Sequence, residues 1–114
     1  MLYDSRSTTT ELIFCFMKTN EIYEEVMAEV TRTTGIDRNS VLNSNREECV
    51  DARYLLVRAL GWMLTDSEIA RLIGRTRRGI AYLRSCEHKM QKRLVRRNWE
   101  EIRKSLGNNY FETA

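Results

Sequence analysis

Not one proline interrupts this chain over its 114 residues, where average usage would supply about five or six. Strand punctuation is missing as well. There is no Asn-Gly or Asp-Gly turn and no sustained alternation of apolar and polar residues bounded by turn formers. These two absences predict an all-α domain whose helices are ended by glycines and caps.

The apolar spacing divides the chain into helices. Residues 1–8 carry no periodicity, and residues 1–10 are expected to form a flexible tail, with residues 11–43 as an N-terminal helical extension. Asn20 is read as the cap of a helix bearing Ile22, Tyr23, Val26, Met27 and Val30 on one face, ended by Gly35. A linker from Ile36 to Asn43 has room for a single helical turn. Ser44 followed three residues later by Glu47 has the form of a capping box. The helix it opens, to about Leu64, is apolar round most of its cylinder and is therefore the central one. Thr65 with Glu68 makes a second capping box for Asp66–Ile73, and Gly74 stops that helix. Thr76 is read as capping a long helix to about Arg97, near 33 Å at 1.5 Å per residue. A short last helix, Asn98–Leu106, packs Trp99 and Ile102, and residues 107–114 form a C-terminal tail.

Composition excludes several function classes. At 42% hydrophobic and 31% charged, the chain is too apolar for disorder, and no run approaches the roughly 18 apolar residues that cross a bilayer. Leu12–Met17 is far too short and follows Glu11. A positively charged start and a small-residue cleavage site are missing, so a cytoplasmic protein is expected. Cys15, Cys49 and Cys86 lie far apart, an odd number without a CxxC pair, which argues against disulfides and zinc. His88 is the only histidine and has no ligand partners at metal spacing. Adjacent pairs Glu24-Glu25 and Glu47-Glu48 point to different helix faces and cannot act as a catalytic carboxylate pair. No catalytic residue, cofactor or metal site is expected, and Trp62 and Trp99 are read as core.

Charge carries the functional signal. Residues 1–45 hold four basic and seven acidic side chains, whereas residues 46–114 hold fifteen and nine. Within residues 71–97 ten basic side chains face Glu87 alone. A solvated helix face normally brings acids at i±4; a block without them faces a polyanion.

That block contains Asp66 to Ser85, DSEIARLIGRTRRGIAYLRS. Small Ala70 at the fifth position lets a second helix cross closely, and Gly74 at the ninth permits a sharp left-handed turn. Ile80 and Leu83, fifteenth and eighteenth, hold the second helix against the first. This is the spacing of a helix-turn-helix. Projected at 100° per residue, Ile80, Leu83, Glu87, Met90 and Leu94 share the inner face of the second helix. Arg78, Tyr82, Ser85, Lys89, Lys92 and Arg96 share the outer face. Such a helix fits the major groove of B-DNA, with its first turns at the base edges. Arg77 and Arg78 follow the Thr76 cap, where the helix dipole disfavours cations, and Gly79 weakens the helix further. Three consecutive residues working against their own helix point to function. Arg77 and Arg78 are read as entering the groove, with Gly79 allowing close backbone approach. The plainer alternative is a poorly optimised surface turn.

Residues 44–94 resemble the C-terminal helix-turn-helix domain of the bacterial replication initiator DnaA, a relative of the Trp repressor fold. The residues carrying the likeness are Leu42-Asn43-Ser44-Asn45-Arg46, Val50-Asp51-Ala52-Arg53, Leu64 to Ala70, Gly74-Arg75 and Ile80. The resemblance implies a DnaA-like domain over residues 44–106, with Arg46 on phosphate and Arg53 and Arg75 at the DNA. The family turn Gly-Arg-Asp-His-Thr-Thr-Val differs here, where Gly74-Arg75-Thr76-Arg77-Arg78-Gly79-Ile80 stands, so the initiator's target sequence does not carry over. No GxxxxGK[ST] loop occurs, so its ATPase part is not represented.

Together these readings predict a non-enzymatic DNA-binding regulator or replication-associated factor. Its expected DNA contacts are Arg46, Arg53, Arg75, Thr76, Arg77, Arg78, Gly79, Tyr82, Ser85, Lys89 and Lys92. Duplex DNA is the expected partner, with a homodimer as an option and no membrane. The alternatives are an RNA-binding or antitermination module, and a protein-interaction module that uses Leu12–Met17 or the basic face.

Overall fold

A computed structural model of the chain describes residues 5–107, with side chains over 18–107. Six α-helices and one 3-10 turn follow each other, with no strand among the described residues. The helices are α1 (Ser5–Thr34), α2 (Arg38–Asn43), α3 (Glu47–Leu60), α4 (Asp66–Ile73), α5 (Arg77–Arg84) and α6 (Arg93–Leu106). The 3-10 turn is Glu87–Gln91. The all-helical expectation holds.

The centre is α3, as its near-continuous apolar circumference predicts. Every residue from Asp51 to Val57 is buried, and α1, α2, α5 and α6 all pack on this helix. From α1 come Ile22, Tyr23, Val26, Met27 and Val30, and from α6 come Val95, Trp99, Ile102 and Leu106, spaced i, i+4 and i+3. Cys49 and Cys86 are buried as small apolar groups. Removing residues of this size from water is worth about 1.5–3 kcal/mol each, so the fully buried Leu55, Leu56, Leu60, Ile69, Ile80 and Ile102 anchor four helices at once.

Several element boundaries depart from the sequence reading. α1 begins at Ser5 and runs unbroken through Asn20, which lies inside the helix and caps nothing. The expected tail therefore overlaps α1 by residues 5–10. Residues 1–4 and 108–114 fall outside the described residues, as do the side chains of Leu12–Met17. Gly35 does end α1, with φ +75°. The Ser44 capping box is absent: Arg46 is the N-cap of α3 without a side-chain bond, while the Ser44 hydroxyl accepts the Arg46 N–H at 3.3 Å. α3 stops at Leu60, four residues early, in a turn that leaves Trp62 58% exposed and outside the core.

The largest difference lies after α5. The expected helix from Arg77 to Arg97 is broken, and residues 98–106 belong to α6. Two polar groups converge on one carbonyl: Ser85 Oγ donates to Tyr82 O at 2.6 Å and the Cys86 thiol to the same oxygen at 3.3 Å. The Cys86 N–H bonds Leu83 O, tightening the last turn to i, i−3. α5 runs alongside α3 from the level of Val50 and Arg53 to that of Gly61, where the Arg84 guanidinium lies. The chain then returns, bringing Lys89 and Lys92 back to Asp51 near the start of α3. From there α6 sets off in the same direction as α5.

Candidate nucleic-acid interface

Local chemistry builds α4, the turn and α5 almost as the sequence predicts. Thr65 Oγ1 accepts the Glu68 N–H at 3.2 Å and the Glu68 carboxylate accepts the Thr65 N–H at 2.9 Å, a complete capping box. Gly74 takes φ +83°, where a side chain would be strained, and both its N–H and that of Arg75 bond Ala70 O at 2.8 and 2.9 Å. Thr76 Oγ1 accepts the Gly79 N–H at 3.0 Å, so Thr76 is the N-cap of α5. Ile69, Ala70, Ile73, Ile80 and Leu83 are buried between the two helices and α3. Arg84 and Asp66 form an ion pair that fastens the end of α5 to the start of α4.

This scaffold leaves one face of α5 open. Arg77 and Arg78 are exposed in its first turn and make no ion pair or hydrogen bond with any other described residue. Tyr82, one turn beyond Arg78, is 69% exposed. Val50, Arg53, Arg75, Thr76, Gly79 and Tyr82 line a groove beside this turn. Gly79 has a local role besides any close approach: a Cβ there would stand 3.2 Å from the Thr76 hydroxyl.

Four expected contact residues are placed elsewhere. Arg53 is 4% exposed; its Nε donates to Val41 O at 2.7 Å and its NH2 to Ser44 O at 2.6 Å. It ties the α2–α3 loop to the central helix, and burial pulls its pKa down. Lys89 donates to Asp51 at 2.9 Å, and the two side chains are 14% and 13% exposed. Lys92 bonds Asp51 at 2.9 Å and also pairs with Glu47. Both lysines thus have carboxylate partners that the outer-face projection did not foresee. Burial pushes the Asp51 carboxyl up, but the hydrogen bonds from Lys89 and Lys92 outweigh it and hold the pKa below its usual value. Ser85 closes α5, its hydroxyl engaged with the backbone.

Two further residues hold intermediate positions. Arg75 is exposed, and its guanidinium donates to Leu42 O at 2.7 Å, fixing the turn to α2. Arg46 is exposed at the tip of α3, 3.9 Å from Glu48. Leu94, expected on the inner face, is 64% exposed because it starts a different helix.

The sequence reading passed over Arg93 and Arg97 as a site. With Arg96 they are exposed at the start of α6 and unpartnered among the described residues. The signal was in the count of ten basic residues, but only the break at Cys86 sorts them into a cluster of their own.

No family model matches this chain, and no curated protein or solved structure matches it either. Among the described residues no group of histidine, cysteine or carboxylate side chains is arranged to hold a metal ion, and no helix is long and apolar enough to cross a membrane.

Proposed function

We propose that this chain is a non-enzymatic DNA-binding protein of helix-turn-helix type, placing the first turn of α5 in the major groove of duplex DNA. The observation that carries the reading is the pair Arg77 and Arg78, exposed and without carboxylate partners on the open face of a capped, glycine-turned helix pair. A guanidinium fork in that position takes guanine O6 and N7 bidentately or clamps a phosphate. Holding two cations at the positive end of a helix costs about 0.3–1 kcal/mol each, and a polyanion reverses that cost. Arg75 and Thr76 position the turn, Tyr82 extends the contact by one helical turn, and the exposed Arg46 at the tip of α3 is assigned to a phosphate. The α4–α5 arrangement is in keeping with a DnaA-like, Trp repressor-like domain over residues 44–106, acting as a regulator or a replication-associated factor in the cytoplasm.

The test is selection of bound fragments from a random duplex library, followed by Arg77→Gln and Arg78→Gln. Each substitution is expected to cost about 1–3 kcal/mol in discrimination between selected and scrambled duplex. Equal binding of selected and scrambled duplex by the unaltered protein at every salt concentration contradicts the reading, as does preference for structured RNA over both.

A further inference from the structure

The arginines over residues 18–107 divide by what they touch, and Arg71 is among those that have a partner. Arg32, Arg38, Arg46, Arg84 and Arg103 each meet a carboxylate. Arg53, Arg58 and Arg75 donate to oxygen atoms of the protein itself. The arginines without an ion pair or hydrogen bond among the described residues fall into two groups only: Arg77 and Arg78 on α5, and Arg93, Arg96 and Arg97 on α6. In each group the cations lie in the first turn of a helix that has no acid there, with Arg97 directly after it, against the dipole.

The two groups sit at the same level of the molecule. Thr76 and Gly79 of α5 share a groove with Val50 and Arg53 of α3. Leu94, Val95 and Asn98 of α6 share another with Glu47, Asp51 and Leu55. Those two sets lie roughly 130° apart around α3 at 100° per residue, so α5 and α6 flank its N-terminal half on well-separated sides. Helices packed on a third at that angle stand roughly 15–18 Å apart, axis to axis. That exceeds the width of the major groove, about 12 Å. The acids between the groups do not offset them, because Glu47 and Asp51 are held by Lys89 and Lys92, and Glu48 faces Arg46.

We infer that Arg93, Arg96 and Arg97 form a second contact surface, which takes backbone phosphates of the duplex beyond the groove entered by α5. The inference rests on the reading of α5 given above and extends it to a surface of a different helix. Val95 and Trp99 hold α6 by its opposite face, so the three guanidinium groups project away from the core. They lack any base-reading framework of their own, and their contribution is to affinity and its salt dependence, not to the choice of sequence.

The experiment is equilibrium binding to a mixed-sequence duplex of about three helical turns over a range of salt concentrations. It compares the unaltered full chain with Arg93→Gln/Arg96→Gln/Arg97→Gln. Each phosphate contact contributes about 0.9 to the slope of log K against log salt. The triple variant is therefore expected to lower that slope by about 2–3, with the ratio of selected to scrambled binding unchanged. Arg103→Gln/Lys104→Gln, in the last turn of the same helix, is expected to leave the slope within about 1 of the original. If the triple variant fails to fold by circular dichroism, each single substitution is expected to lower the slope by about 0.9. An unaltered slope in the triple variant, or in all three single variants, overturns the inference while the α5 reading stands. No duplex binding by the unaltered protein overturns both.

Discussion

A cation on this surface is defined by what it touches, and Lys89 and Arg78 illustrate the two outcomes. Lys89 shares a largely enclosed position with Asp51, and Lys92 completes the triad from the rim. Asp51→Asn removes the carboxylate and leaves two ammonium groups facing each other. It is expected to destabilise the fold by roughly 1–3 kcal/mol, below the value for a fully buried pair because Lys92 remains partly wet; urea denaturation measures this. The pH dependence has a definite sign. The Asp51 carboxyl is held below its ordinary value, so its contribution is complete above about pH 3.9 and is lost as pH falls through the lowered value. The unaltered protein should therefore lose more stability than Asp51→Asn as pH falls below about 4. Arg53 makes the same point with carbonyl oxygens. Arg53→Met strips two short, charge-assisted bonds from the α2–α3 loop and is expected to cost roughly 2–4 kcal/mol in stability. Under conditions where the variant remains folded, its salt slope for duplex should match that of the unaltered protein.

Among the elements, legibility follows the range of the forces that set the boundary. α4 is fixed at both ends by chemistry within four residues: the Thr65–Glu68 box, the Gly74 turn and the Ala70 carbonyl. All of it stood in the sequence. The same holds for the Thr76 cap of α5. By contrast, Ser85 to Lys92 holds no glycine or proline and reads as continuing helix. Its break combines the bonds of Ser85 and Cys86 to Tyr82 O with Lys89 and Lys92 reaching Asp51, 38 and 41 residues away in sequence, a pairing invisible to local periodicity. Asp51 and Glu47 at i and i+4 of α3 were the available clue. The start of α1 was missed for a related reason, since Asn20 is a good cap that the helix simply passes through. Two substitutions test this local control of α4. Thr65→Ala is expected to cost about 0.5–2 kcal/mol, and Gly74→Ala about 1–2 kcal/mol from the strained φ, both read as lowered melting temperature.

On the scale of the molecule, α3 organises everything else. Its buried flanks receive α1, α2, α5 and α6, and its N-terminal end gathers the acids that neutralise the returning segment. The basic block of residues 71–97 is thereby sorted: part of it is spent inside the protein, on Asp51, Glu47 and Asp66, and the arginines opening α5 and α6 remain outside. The composition announced an excess of cations, and the fold determines which of them are available. The central claim concerns the first of these two sets, and guanine N7 methylation interference on a selected duplex tests it most directly, because N7 is exposed only in the major groove. Methylation at one or more guanines is expected to weaken binding of the unaltered protein and to lose that effect in Arg77→Gln/Arg78→Gln. Binding that is indifferent to N7 methylation throughout the site would place α5 outside the groove and contradict the account.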